Sequence, residues 1–457
     1  MRAPRTHLVE TPGPRPAALA PGWRALVGVA AAVVLVGCHD ASGMPDAGVE
    51  VVRSPRPAGC VEVAAGAPVQ AQLDDPRNQA VCLAPGEHLG PLRLTRAVTL
   101  WGPPRAVVRA SSGTVVDVVA PGAAVRGLTL DGTGGKFDRL DGAVRLRADD
   151  TEVSDVVVEH AVFGILVERA ARVKVLRNRV EGSADPAIGL RGDSIRLWET
   201  KDSLIADNVV RQGRDLVVWY SRGNTISGNR VEGGRYGLHF MYSHDNRVIG
   251  NRLVRGVVGI FVMYSRGIHL SGNLIADAAG AAGMAIGLKD SGNIVVEDNR
   301  LIHDSLGIYV DSSPMQLGEE VVIERNVIRL CDAAVVFHSS AHHVRIADND
   351  LADNQQQVRV DGGGDATAVQ WRGNYFDDYT GYDLDGDGTG DVPYELRSLS
   401  NLLTASYPGL ALFRGTAALA MVDAATHLDP LYQPQPVLRE ESPRMAPRWP
   451  TDLSEDE

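Results

Sequence analysis

His239, Met241 and Met263 are the residues of this chain whose types and spacing could do chemistry together. An imidazole and two thioethers are neutral, polarizable ligands, a set that suits Cu(I) rather than a hard cation. They meet only if residues 22 apart stand side by side, and the phrase around them does repeat at that distance. Met241-Tyr242-Ser243 returns as Met263-Tyr264-Ser265. A second set is acidic: Asp383, Asp385, Asp387 and Asp391 fall at positions 1, 3, 5 and 9 of a calcium loop, with Gly388 at the sharp turn. Position 12 is Tyr394, where an EF-hand has a bidentate glutamate, so a Ca2+-ordered turn is expected rather than an EF-hand. His338, His342 and His343 form a further cluster of metal-ligand type.

A repeat must position these residues. The phrases LRNRV, ADNVV, SGNRV, IGNRL, SGNLI, EDNRL, ERNVI, ADNDL and GNYF carry Asn178, Asn208, Asn229, Asn251, Asn273, Asn299, Asn326, Asn349 and Asn374, at spacings of 21 to 30 residues. A period in the twenties with short strands means a solenoid. Leucine-rich repeats share the period but would show leucine at fixed places; here valine, isoleucine and glycine dominate. The fold expected is all-β, a right-handed parallel β-helix with a short C-terminal helical cap. Equivalent residues of successive coils then stand in columns about 4.8 Å apart, and the asparagines form an internal ladder at a bend.

Aligned on those asparagines, the segments 194–200, 215–221, 237–243, 259–265 and 285–291 superpose without gaps. Strand side chains alternate between faces, so if Leu238 and Phe240 point inward, His239 and Met241 point out. The outer columns read Trp198, Trp219, Met241, Met263, Lys289 and, beside them, Arg196, His239, Phe261. Trp198, Trp219 and Phe261 make an exposed apolar strip, the mark of a partner surface.

The chain ends carry other signals. Residues 1–37 read as a signal peptide, a basic flank and a short apolar run closing in Leu35-Val36-Gly37-Cys38, which matches a lipobox. Cys38 would be acylated, tethering the protein to a membrane in the periplasm; an ordinary signal peptide with an unmodified cysteine is the alternative. Residues 38–59 form a flexible tether, 60–396 the β-helix with its Asp-rich loop, 397–432 a helical segment and 433–457 a Pro-rich, charged, disordered tail. In an oxidising compartment Cys60 and Cys82 could form a disulfide, while Cys331 sits in an apolar phrase. The net charge of −12 argues against a nucleic-acid partner.

The phrases GDSIRLWET, RYGLHFMYSHDN and GIFVMYS, with GNYFDDYTGYDLDGDGTGDVPY and the YPGLALF tail, resemble the NosD family, the periplasmic maturation proteins of the nitrous oxide reductase system. The resemblance runs from about residue 60 to about residue 432. It implies a non-enzymatic β-helix standing on an ABC transporter permease/ATPase pair, passing copper from a lipoprotein chaperone towards nitrous oxide reductase. It also implies copper contact at His239, Met241 and Met263. The lipobox departs from the simple secretory signal expected of that family. A polysaccharide-active lyase, hydrolase or epimerase is the competing function, since β-helices commonly bind sugars along one face. On the candidate face it finds Trp198 and Trp219 for stacking but scattered charges, Lys289, Asp290, Asp215 and Asp311.

Overall fold

The computed structural model describes residues 54–449 apart from positions 184, 415, 429–433 and 435. The signal segment, Cys38 and residues 38–53 of the tether lie outside the described residues. Short valine- and isoleucine-rich strands form three parallel sheets of 14, 12 and 13 strands. Within each sheet, neighbours are strands that recur once per turn of the chain, which is a parallel β-helix.

The strands that carry the candidate site are β1 (Ile195–Trp198), β2 (Asp215–Trp219), β3 (Tyr236–Met241), β4 (Val258–Met263), β5 (Met284–Lys289) and β6 (Leu306–Asp311). Leu197, Val218, Phe240, Val262, Leu288 and Val310 pair in register from β1 to β6 and fill the interior. Each such side chain gains about 1.5–3 kcal/mol from burial, so slipping one strand by a residue would turn all of that strand's interior side chains outward.

The bend between two of the sheets is set by asparagine. From Asn178 to Asn349, each backbone N–H and each side-chain amide donates to Oδ1 of the asparagine one coil on, as from Asn251 to Asn273 at 2.9 Å by both routes. The amide also donates back to a strand carbonyl, here Ile226 at 3.0 Å. The residue before each asparagine is left-handed. At Gly228, Gly250 and Gly272 (φ 63°, 61° and 62°) glycine meets that need without the cost of roughly 1–2 kcal/mol an L side chain bears there.

Both ends are closed. Helix α1 (Val69–Asp74) buries Val69 and Leu73 at the first coil, and Cys60 is disulfide-bonded to Cys82 on the next strand of the same sheet. The tether was expected to run free to residue 59, but Ser54 already docks on the body. Its N–H donates to Asp155 at 3.1 Å, and its carbonyl accepts from the Trp101 indole at 3.1 Å.

The tail differs from expectation in the same way. Strands β7 (Tyr394–Arg397) and β8 (Pro436–Glu440) form an antiparallel hairpin. Glu440 takes the place of the next asparagine, accepting from the Asn374 N–H at 2.8 Å and its amide at 2.9 Å. Residues 436–449 are therefore ordered structure rather than disordered tail, because a buried ladder end needs a partner. The C-terminal helical segment is present as two helices, α2 (Leu399–Ser406) and α3 (Ala417–Leu428), with α2 against strand Val358–Val360.

Candidate functional site

The coil register brings the sequence-distant residues together. Trp198, Trp219, Met241, Met263, Lys289 and Asp311 are consecutive partners across β1 to β6. The neighbouring column runs Arg196, Val217, His239, Phe261, Gly287 and Tyr309. His239 and Met263 meet diagonally, with Nε2 3.4 Å from Sδ, and Met241 stands directly beside Met263.

The column faces outward but is not the exposed strip the alternation suggests. His239 keeps 7% of its surface, and Trp198, Trp219, Met241, Phe261 and Met263 are half-buried. Side chains this large, one coil apart, cover one another. The Trp219 indole meets the His239 ring edge-on at 5.5 Å and its Nε1–H donates to His239 Nδ1 at 3.4 Å. The Arg196 guanidinium lies over Trp198 at 4.8 Å and Trp219 at 5.3 Å, pinning both rings. Burial holds the His239 imidazole neutral, pushing its pKa down to about 4.

Several residues of the site were not legible from alternation. Tyr236 packs on His239 at 4.6 Å and on Phe261 at 5.8 Å, because the register slips between Asp215 and Val217. Its N–H donates to Asp215 at 3.1 Å, and Asp215 is paired with Arg235 at 2.5 Å. Gly287 leaves a notch in its column that the Met284 Sδ and the Phe261 ring fill; a Cβ there would lie 2.6 Å from each. Along the next column Tyr220, Tyr242 and Tyr264 stack at 5.5 and 4.9 Å, all at positive φ. The repeated Tyr-Ser of the sequence was the signal for them.

Further along the face, Lys289 is held by Asp311 at 2.6 Å and Asp290 at 3.5 Å. The histidine cluster divides: His338 accepts or donates at Nδ1 with the Tyr309 hydroxyl at 3.1 Å, while His342 and His343 line a separate cavity of about 190 Å³ with Met315. In the acidic loop, carboxylate oxygens of Asp383, Asp385 and Asp391 lie within 4.8 Å of one another. Asp387 is outside that group, its carboxylate accepting from the Thr389 N–H at 2.7 Å. Backbone N–H groups of Gly386 and Gly388 donate to Asp383 at 2.6 and 2.8 Å and keep its carboxyl below the usual range.

Known proteins share the sequence pattern and the fold. Residues 176–381 match a family described as periplasmic copper-binding protein (NosD). The chain is 27% identical over 401 residues to a probable ABC transporter binding protein NosD of Stutzerimonas stutzeri, covering 74% of this chain and 81% of that one. It is 28% identical over 382 residues to the protein so described from Pseudomonas aeruginosa, covering 73% and 80%. Among solved structures it is similar to an alpha-1,3-glucanase catalytic unit of Streptomyces thermodiastaticus (TM-score 0.56, 17% identity, 73% of this chain and 71% of that one). The A-module of the Azotobacter vinelandii mannuronan C-5 epimerase AlgE6 is similar as well (TM-score 0.53, 12% identity, 66% and 94%). At such identities the two enzymes share the fold alone.

Proposed function

We propose that this chain is a NosD-type protein, a non-enzymatic accessory protein that handles copper in the periplasm. Its cargo is Cu(I), taken up by His239, Met241 and Met263, and its role is in the maturation of nitrous oxide reductase. The observation that carries this is the contact of an imidazole and a thioether at 3.4 Å on a wall of aromatic rings, with a second thioether beside them. All three ligands are neutral, so the bound ion keeps its charge, and the set lacks the thiolate that would hold it more tightly. Half-burial limits access of water and oxidants to the ion. Weak, soft, shielded binding suits a protein that passes its metal on.

Docking on an ABC transporter permease/ATPase pair, and receipt of copper from a lipoprotein chaperone, belong to the same proposal. The arm of α2 and α3 supports the docking. Its two charged residues turn inward, Arg414 to Asp361 at 3.1 Å and Asp423 to the Ser400 N–H at 2.9 Å, while Leu402, Leu412, Phe413 and Met421 are exposed. Acylated Cys38 would hold the protein at the membrane, and Ca2+ would order the loop of Asp383, Asp385 and Asp391, with Asp387 outside the cluster. The competing polysaccharide enzyme is less well supported, because Lys289, Asp290 and Asp311 are engaged with each other rather than free for a substrate.

Anaerobic titration of Cu(I) against a competing chelator tests the proposal. Stoichiometric binding is expected in the purified chain and its loss in the Met241→Ala/Met263→Ala pair. Equal binding by that variant would remove the ligand assignment.

A further inference from the structure

The polarity of the two contacts on His239 decides which of its nitrogens bears the proton. The Trp219 indole nitrogen is a donor and cannot accept. Its Nε1–H lies 3.4 Å from His239 Nδ1, so that nitrogen must offer a lone pair. The Met263 sulfur is an acceptor and cannot donate. It lies 3.4 Å from Nε2, which must therefore carry the hydrogen. The opposite tautomer would set two N–H groups against each other at Trp219 and two lone pairs against each other at Met263. In the metal-free chain both partners are kept beside the imidazole: the Arg196 guanidinium lies over the Trp219 ring at 5.3 Å, and Met263 pairs in register with Met241 and Lys289.

The nitrogen that faces the thioethers is thus the one that is not available to a metal. We propose that Trp219 is a tautomer latch on the copper site, holding His239 in the Nε2–H form and weakening Cu(I) capture until the indole gives way. Loading moves the proton from Nε2 to Nδ1, through solvent, and forms the Nε2–Cu bond. No proton is released overall and no electron moves. Nδ1 then carries a hydrogen opposite the indole N–H, so the contact between Trp219 and His239 must open. A partner surface pressing on the Trp198/Trp219 end of the column acts on the same two rings, which gives an encounter a physical route to the metal affinity.

This inference rests on the copper assignment above, and two measurements separate them. The first needs no copper: long-range 1H–15N correlation on the metal-free full chain should give His239 Nδ1 the shift of an unprotonated nitrogen and Nε2 that of an N–H. A protonated Nδ1 overturns the latch. The second is the Cu(I) Kd of Trp219→Phe, which keeps a ring under Arg196 and removes the donor. Loss of one hydrogen bond that opposes loading should tighten Kd by roughly two- to tenfold. An unchanged or weaker Kd, in a variant whose circular dichroism matches the parent, overturns it. Failure of the parent chain to bind Cu(I) at all overturns the latch and the copper assignment together. Binding that is lost in Met241→Ala/Met263→Ala yet indifferent to Trp219→Phe overturns the latch alone.

Discussion

At the scale of single residues, the buried acid Asp304 shows how the solenoid assigns chemistry by position. Ala278, Asp304, Cys331 and Asn354 each follow by three the aligned residues Ile275, Leu301, Ile328 and Leu351, and so share one column. Asn354 Oδ1 accepts from the Cys331 N–H at 3.0 Å, and Asp304 Oδ1 does the same for Ala278 at 2.7 Å. Asp304 Oδ2 is buried without a partner among the described residues, and desolvation lifts the pKa to about 8. At neutral pH the side chain is therefore a neutral acid standing where an asparagine would serve. The folded state holds a proton that the unfolded state releases above its ordinary value near 4. Stability is then full below about pH 4, declines by up to ~1.4 kcal/mol per pH unit as pH rises towards 8, and is flat above it. Asp304→Asn should abolish that slope and be more stable than the parent at pH 8, which urea unfolding at pH 5 and pH 8 would check. Equal slopes in parent and variant would show that the carboxyl is hydrated. In the same column Cys331 is buried and its thiol is pushed up to about 12, so it should resist alkylation until the protein unfolds. Cys331 as a buried apolar residue was readable from its phrase; its place in one column with Asp304 was not, because 27 residues separate them and neither carries a motif.

At the scale of elements, what was legible is what repeats. Alternation within β1 to β6 and the asparagine phrases fix inside, outside and coil period, since each depends on neighbours in one strand or one coil. The closing hairpin depends on neither. Strand β8 is separated from the ladder end it completes by 66 residues, and its Pro-rich, charged surroundings have the composition of a disordered tail. Glu440 is fully buried there and desolvation raises its pKa to about 7. Glu440→Ala would leave two buried donors of Asn374 unpaired, at about 1–3 kcal/mol each. We expect a clear fall in Tm, and a larger one for a chain ended at residue 432. A chain ended there that melts with the parent would show the hairpin to be dispensable. At the other end, the Cys60–Cys82 disulfide closes a loop spanning 22 residues, so its reduction is expected to cost about 2–4 kcal/mol, read as a Tm difference with and without reductant. His239 illustrates the remaining limit. Its outward direction followed from alternation, but its burial depends on Tyr236, which a register slip brings onto it.

At the scale of the whole molecule, a β-helix is close to one-dimensional: each coil touches the one before and the one after, and stability is nearly a sum over coils and their interfaces. The candidate site spans the three coils of β2, β3 and β4, so coils further along are scaffold to it. Deleting residues 300–326 removes one complete turn and joins Asn299 to Val327. Asn349 Oδ1, which now accepts from Asn326, would then accept from Asn299, and the interior columns would close up in register. The excision also removes Asp311, which holds Lys289 at 2.6 Å, and the loop whose buried Glu319 pairs with the exposed Arg266 at 3.3 Å, contacts that cost some stability but include none of the three proposed metal ligands. We therefore expect a folded, cooperative protein with a modestly lower Tm and a Cu(I) affinity within about a factor of two of the parent. Deleting only residues 313–326 should instead unfold the far end, because half a turn sets the sheets out of register and turns apolar columns into water. Circular dichroism, thermal melts and copper titration on the two deletions decide it. If the full-turn deletion folds but loses copper, the metal site reaches beyond His239, Met241 and Met263 into the coil of Tyr309 and Asp311. If both deletions behave alike, the coils are not independent units, and residues far from the site would have to be counted among those that shape it.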